Sequence, residues 1–346
     1  MTAGEELHIR EQLEKQEHER LSRYAQLASA SAGRKVKEEE SVLRTCYQRD
    51  KDRILHSLYF RLLKYKTNVF LSTSGEKFRT RLTHTLEVSQ IARTICRALN
   101  LNEDLAEAIS LGHDLGHTPF GHTGEEVLNK LSPTGFHHAQ QSLRVVDKLE
   151  KNGKGLNLTS EVRDGIVKHS KGTKTLHEVH DKVIEYQDVA TLEGVVVQYS
   201  DWIAYINHDI DDAIEMGLIT MDSLPKEAVE VLGVTHGKRV NTMVLDIVGN
   251  SRDSAKLKMS KTVLEATEIL RAFMYREVYK LPSVKNRMDK AYTIIAFLYK
   301  YYMDNTDYAL KEYPWLANEL PYRITTDIIS SMTDTTAQAV YRKLIR

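Results

Sequence analysis

The sequence predicts an all-α protein, and three observations carry that reading. The 346 residues include only six prolines, so long helices can run unbroken. Strand-like alternation is scarce. Apolar residues instead recur at three- and four-residue spacing, most clearly from His84 onward. Residues 5–28 read as a charged N-terminal helix, followed by a small polar linker at 29–37 (SASAGRKVK). The stretch 38–66 reads as helical, and 69–77, with Ser72, Thr73, Ser74 and Gly75, reads as a loop or hairpin. His84, Val88, Ile91, Ile95 and Leu99 share one helix face, and Leu105, Ala108, Ile109, Gly112 and His113 share another. Further helices are expected over 125–131, 139–151, 159–169, 195–216, 262–280 and 287–304, while 239–248 (RVNTMVLDIV) carries enough β character for one small ribbon. No internal repeat is visible. The chain divides into an arm (1–40), a core (41–217) and a C-terminal helical region (218–346).

Composition narrows the class. Hydrophobic residues make up 41% and charged residues 28%, as in an ordinary globular protein. Lys+Arg and Asp+Glu both total 48, so no global field draws the chain to nucleic acid or membranes. No apolar run approaches the ~20 residues of a membrane span, and the acidic N-terminus does not resemble a secretory signal. Two cysteines, Cys46 and Cys96, form no disulfide framework and no metal pair, and a reduced, cytoplasmic protein is the expectation. Cys96 lies among core-facing positions. Charge is uneven locally: between Arg44 and Arg81 ten basic residues face three acidic ones, Asp50, Asp52 and Glu76. Such a run is either a solvated helix face or a grip on phosphate.

The densest chemistry lies at His113-Asp114-Leu115-Gly116-His117-Thr118-Pro119-Phe120-Gly121-His122. Neighbouring helix residues point about 100° apart, so His113 and Asp114 can share one ion only beside a helix end. A lone histidine on an apolar face is usually a satisfied core residue. Here two helices each place one there, His84 and His113, and burying them with a carboxylate is costly unless a cation is shared. Asp201, interrupting an apolar helix, is the best fourth ligand; Tyr205 and Asp209 follow it at one-turn intervals. Mixed His/carboxylate ligation suits one Mn²⁺, Mg²⁺, Fe²⁺, Ni²⁺ or Zn²⁺ without choosing among them. Thr123 and Glu126 fit a capping box for a helix opening near Glu125.

His84…His113-Asp114…Asp201 resembles the H…HD…D signature of the HD superfamily. The surrounding stretches 49–70, 79–93 (RTRLTHTLEVSQIAR), 101–125 (LNEDLAEAISLGHDLGHTPFGHTGE), 141–146 and 199–217 are similar to the bacterial dGTP triphosphohydrolase-like proteins. That resemblance implies an HD-domain core at 41–217 and water attack on the α-phosphorus of a deoxynucleoside triphosphate, dGTP or another, releasing deoxynucleoside and tripolyphosphate. It implies His122 and Glu125 as the catalytic pair, Arg81, His117 and His138 around the triphosphate, and Tyr205 and Asp209 near the sugar. It further implies a homo-oligomer, dimers assembling to a hexamer, with a dNTP effector at subunit interfaces. The arm and the tyrosine-rich region 292–313 are the expected interface material. One departure stands out: 136–141 reads Phe-His-His-Ala-Gln-Gln where the family usually shows Phe-Glu-His-Asn, so His137 and Ala139 remove expected partners of His138. Competing readings are another HD phosphohydrolase and a non-catalytic binder. A ppGpp hydrolase would carry HDxxED, but Gly116-His117-Thr118 follow here; a nucleotidase is usually little more than the core. The binder would be a nucleotide sensor or a weak single-strand nucleic-acid module using the basic run.

Overall fold

A computed structural model describes residues 8–68, 78–170 and 189–345. Among them the regular elements are helical, and β pairing is confined to isolated bridges, Arg34 to Thr159 and Thr67 to Thr80. The expected loop or hairpin at 69–77 lies outside the described residues. No helix among them is long and apolar enough to cross a membrane.

The N-terminal helix α1 (Ile9–Arg20) is shorter than the expected 5–28. Beyond Arg20 the backbone amides find partners in the core: Ser22 donates to the Asn100 carbonyl, Gln26 to Glu193 and Ala28 to Glu17. Residues 38–45 are likewise not helical. Ser41 Oγ accepts the amides of Leu43 and Arg44 in a local turn, and Thr45 with Gln48 forms the capping box that starts α2 (Cys46–Leu55). A short α3 (Leu58–Leu62) ends in a 3-10 turn.

The centre is built from α4 (Arg81–Leu99), α5 (Glu103–Gly112) and the long α9 (Leu192–Glu215), packed on one another, with α5 also packed on α2. Each start is written in the sequence: Thr80, Asn102 and Thr191 cap the first turns with their side-chain oxygens. Val88, Ile91, Ile95 and Cys96 of α4 and Leu105, Ala108 and Ile109 of α5 are buried as their spacing predicts. Around them lie α6 (Gly121–Leu131), α7 (His138–Arg144), which runs on as a π turn to Leu149, and α8 (Ser160–Lys168). Helix α6 opens four residues before Glu125, at a left-handed Phe120 with no side-chain cap, so Thr123 is buried within the helix rather than capping it.

The C-terminal region holds α10 (Lys226–Leu232), α11 (His236–Ser251), α12 (Lys261–Met274), α13 (Pro282–Asp304), α14 (Thr306–Glu312), α15 (Pro321–Ser331) and α16 (Asp334–Leu344). The ribbon expected at 239–248 is part of α11. Arg239, Met243 and Ile247 repeat every fourth residue on its buried face, and Arg239 Nε donates to Asn207 of α9. That period is helical, and it overrides the local β preference. Tyr299 and Tyr302 of α13 are core, whereas Tyr292 and Tyr308 are exposed. The region docks on α7 through polar groups. Asp327 of α15 accepts from Gln141 and Arg144, and Ser330 Oγ accepts from Gln141 Nε2.

Most of the basic run is already matched. Arg44, Arg49, Lys51, Arg53, Arg79 and Arg81 all sit in ion pairs with acids that lie mainly outside the run, among them Glu38, Asp104, Glu107, Glu87, Asp212 and Asp114.

Candidate metal centre and its histidine cluster

The end of α5, the first turn of α4 and the third turn of α9 meet at one point. His84, His113 and Asp201 each offer a ligand atom within 4.8 Å of the others. Asp114 joins them: its Oδ2 is 3.6 Å from His113 Nε2 and 3.8 Å from His84 Nε2. His84 Nε2 lies 3.1 Å from Asp201 Oδ1. All four expected ligands therefore converge, and His113 and Asp114 do so at the helix end, as neighbours in sequence must.

His113 is the informative member. Its Nδ1 donates to the Ser110 carbonyl at 2.6 Å, which fixes the tautomer and leaves a lone pair on Nε2. That Nε2 is buried and has no hydrogen-bond partner among the described residues. Burial, more than anything nearby, pulls the imidazole below its ordinary value. A neutral nitrogen with a free lone pair, facing two carboxylates, fits a divalent cation. Burial opposes the charge on Asp114, yet His113, Arg81 and the other histidines hold its carboxyl well below the usual range. Arg81 Nη1 donates to Asp114 Oδ2 at 2.8 Å, and its Nη2 donates to the Asn68 carbonyl.

A second cluster stands on the other side of Asp114. His138 Nε2 is 4.0 Å from Asp114 Oδ1, and its Nδ1 donates to Glu125 Oε1 at 2.8 Å. The same carboxylate accepts the His138 amide and, through Oε2, lies 3.1 Å from His122 Nδ1. Burial disfavours an ionised Glu125, but the charge of His138 and the bonds from His122 and His138 outweigh it and hold the carboxyl far below its ordinary value. Burial also disfavours a charged His138, and the Glu125 charge and bond raise it nonetheless. His122 reaches outward, its side chain 64% exposed against 13% for Glu125. His117 is fully buried and stacks on His138 with centroids 4.4 Å apart, and neither of its ring nitrogens has a hydrogen-bond partner among the described residues.

Gly116 lets the two clusters approach. A Cβ there would lie 2.1 Å from the Ser142 amide nitrogen, and Ser142 Oγ ties α7 to this corner by accepting from Gly116 and donating to the His113 carbonyl. Gly121, with φ +59°, makes the turn into α6. The loss of partners expected for His138 does not occur. Glu125 and His169 serve it instead, and His137 Nδ1 accepts the Ala139 amide as the helix cap.

The HD domain family matches residues 81–206, and the phosphohydrolase-associated domain matches 257–343. A deoxyguanosinetriphosphate triphosphohydrolase-like protein of Caldanaerobacter subterraneus subsp. tengcongensis is 51% identical over 337 residues, covering 97% of this chain and 95% of that one. The chain belongs to the triphosphohydrolase-like family of HD-domain phosphohydrolases. A second relative of the same name, from Desulfatibacillum aliphaticivorans, is 48% identical and covers 97% of each chain.

This triphosphohydrolase-like chain also uses residues that sequence reasoning passed over. His169 follows α8 as His113 follows α5, and each donates Nδ1 to the carbonyl three residues back. Its Nε2 lies 3.1 Å from His138 Nε2, and burial with the neighbouring histidines pulls it to about 3. The repeated helix-end position was the available signal. His208, one residue before Asp209, bonds His84 Nδ1 at 2.9 Å. Asp209 itself is buried and accepts from Tyr279 Oη; its Oδ1 is 2.9 Å from His208 Nδ1, without hydrogen-bond alignment. Tyr205 is partly buried on the same face of α9.

Proposed function

We propose that the protein hydrolyses deoxynucleoside triphosphates, dGTP among them, to deoxynucleoside and tripolyphosphate. The observation that carries this reading is the pairing of a lone-pair cluster with a proton-holding cluster on opposite oxygens of Asp114. His84, His113, Asp114 and Asp201 would hold one divalent cation, drawn from Mn²⁺, Mg²⁺, Fe²⁺, Ni²⁺ or Zn²⁺. When bound, the ion supplies Lewis acidity, which can lower the pKa of water from about 16 to about 7.

The chain's own residues supply the rest. Water oxygen bonds to the α-phosphorus, the bond to the 5′ oxygen breaks, and that oxygen takes a proton. His122, reaching out from Glu125, exchanges the proton with the reacting oxygens, and Glu125 orients His122 through Nδ1. His138, with Arg81 behind Asp114, provides positive charge for the triphosphate, and His117, held neutral by burial and the nearby Arg81 and His138, offers a ring N–H as donor. Tyr205 and Asp209 stand one and two turns beyond Asp201 and would meet the sugar; Asp209 would then exchange its Tyr279 bond for a ligand hydroxyl. Residues 41–217 act as the catalytic core in this reading, with 1–40 as an arm and 218–346 completing the pocket. Assembly as dimers and a hexamer, with a dNTP effector between subunits, extends the same proposal.

The test is incubation of the pure protein with Mn²⁺ and single dNTPs or dNTP mixtures, followed by assay of tripolyphosphate and deoxynucleoside. Stoichiometric release of both supports the reading. Release of orthophosphate or pyrophosphate points to a different HD phosphohydrolase, and nucleotide binding without turnover points to a sensor. Light scattering that shows a monomer with and without nucleotide would remove the oligomer from it.

A further inference from the structure

The segment from His117 to Phe120 joins the two clusters. It begins one turn past the HD pair and delivers His122 and Glu125 on α6. Its backbone is held at both ends by charged side chains that neither cluster uses. Lys66 is fully buried, and its Nζ donates to the His117 carbonyl at 2.6 Å and to the Ser330 carbonyl at 2.6 Å. Asp334, the first residue of α16, accepts the Phe120 amide on Oδ1 at 2.9 Å and the Thr67 amide on Oδ2 at 3.0 Å. Three separate pieces of chain are thus drawn together: 66–67, the 117–120 loop and the 330–334 corner between α15 and α16.

Two features mark this as more than ordinary packing. Phe120 stands in the left-handed region, φ +63° and ψ 24°, which strains a residue with a Cβ and persists only when its surroundings insist on it. Burying an ammonium is also costly, and here burial pulls the Lys66 amine down to about 7. Lys66 and Asp334 are placed where their hydrogen bonds fix the positions of His117 and Phe120 relative to a corner more than 200 residues away in sequence.

We propose that Lys66 and Asp334 are positioning residues for the reaction, pinning the His117–Phe120 loop to the α15–α16 corner so that the C-terminal region sets where His117, His122 and Glu125 stand. The inference rests on the hydrolase reading for its kinetic consequence, though not for its structural one.

The experiment compares the full-length Mn²⁺-loaded protein with Asp334→Ala, Asp334→Asn, Lys66→Met and, as a destabilised control outside the pinned segments, Leu270→Ala in the core of α12. Amide hydrogen exchange over 117–125, Mn²⁺ affinity by calorimetry, and kcat and KM are measured on each. Asp334→Ala is expected to lower kcat about 10²-fold, because small misplacements of reacting groups have that effect, with KM and Mn²⁺ affinity changed by less than about threefold. Loop exchange should quicken at least about tenfold in Asp334→Ala and Lys66→Met, reflecting easier local opening. Asp334→Asn keeps one accepting oxygen and should recover part of both losses. Equal kcat losses in Asp334→Ala and in the control at matched thermal stability would overturn the proposal, as would unchanged loop exchange. A wild-type protein that turns over no dNTP would sink the hydrolase reading alone, leaving loop exchange to decide this one.

Discussion

His113 and His138 stand on opposite sides of Asp114, and the protein holds their protons in opposite ways. His113 gives its one proton to a backbone carbonyl and turns a bare lone pair into the site. His138 gives its Nδ1 proton to a carboxylate, and the Glu125 charge raises it against the pull of burial. Burial keeps the His113 ring neutral even with its carbonyl bond, whereas the Glu125 carboxylate favours the charged ring at His138. The first cluster therefore suits a cation and the second an anion or a moving proton. One carboxylate, Asp114, faces both, and Arg81 braces it.

The sharpest way to break the comparison is to remove what the clusters share. Asp114→Ala should abolish turnover and weaken Mn²⁺ binding by more than about 100-fold by calorimetry, beyond what loss of a supporting partner causes. It should also strand Arg81, at a cost of roughly 3–5 kcal/mol in denaturant unfolding, as for other broken buried pairs. Next come variants confined to the second cluster. His122→Ala and Glu125→Gln should each lower kcat about 10²–10⁴-fold while Mn²⁺ affinity stays near that of the wild type. Loss of metal in either variant would show that the two clusters are not separable.

A smaller effect belongs to the support of the first cluster. His208→Ala removes the partner of His84 Nδ1 and should weaken Mn²⁺ binding about 10–100-fold without altering the pH profile of the second cluster. The smallest effect is on stability against pH. Glu125 has a folded pKa depressed below its unfolded value, so its contribution is present above the unfolded value of about 4.3 and disappears as pH falls below it. Wild type should therefore exceed Glu125→Gln in unfolding free energy at pH 7, with the gap closing below about pH 4. A constant gap across that range would mean that the Glu125 charge contributes nothing.

Much of this was legible in the sequence. The period of the apolar stripes fixes α4, α5 and α9, and polar caps such as Thr80, Asn102 and Thr191 fix where they begin. Spacing and chemistry pick out His84, His113, Asp114 and Asp201, because buried ligands must sit on apolar faces. Three kinds of feature were not legible. Helix α1 stops at Arg20 because its later amides bind Asn100, Glu193 and Glu17, contacts that exist only after folding. Helix α11 overrides a β-rich local sequence through long-range packing of Arg239 and Met243. His208 and Asp334 act across sequence separations that no local pattern encodes, whereas His169 was readable only as a repeat of the helix-end position of His113.

Gln141 and Asp327 carry a consequence of another kind. Their contact joins α7 to α15 through buried hydrogen bonds, with Arg144 and Ser330 completing the set. A greasy seam forgives a changed contour, but this one demands matching donors and acceptors on both sides. Chimeras that graft the last hundred residues of a diverged relative onto this front half should fail unless both faces of the joint travel together. The two portions are thus bound to be inherited as a set, and paired changes at 141, 144, 327 and 330 are where an alignment of relatives should record it.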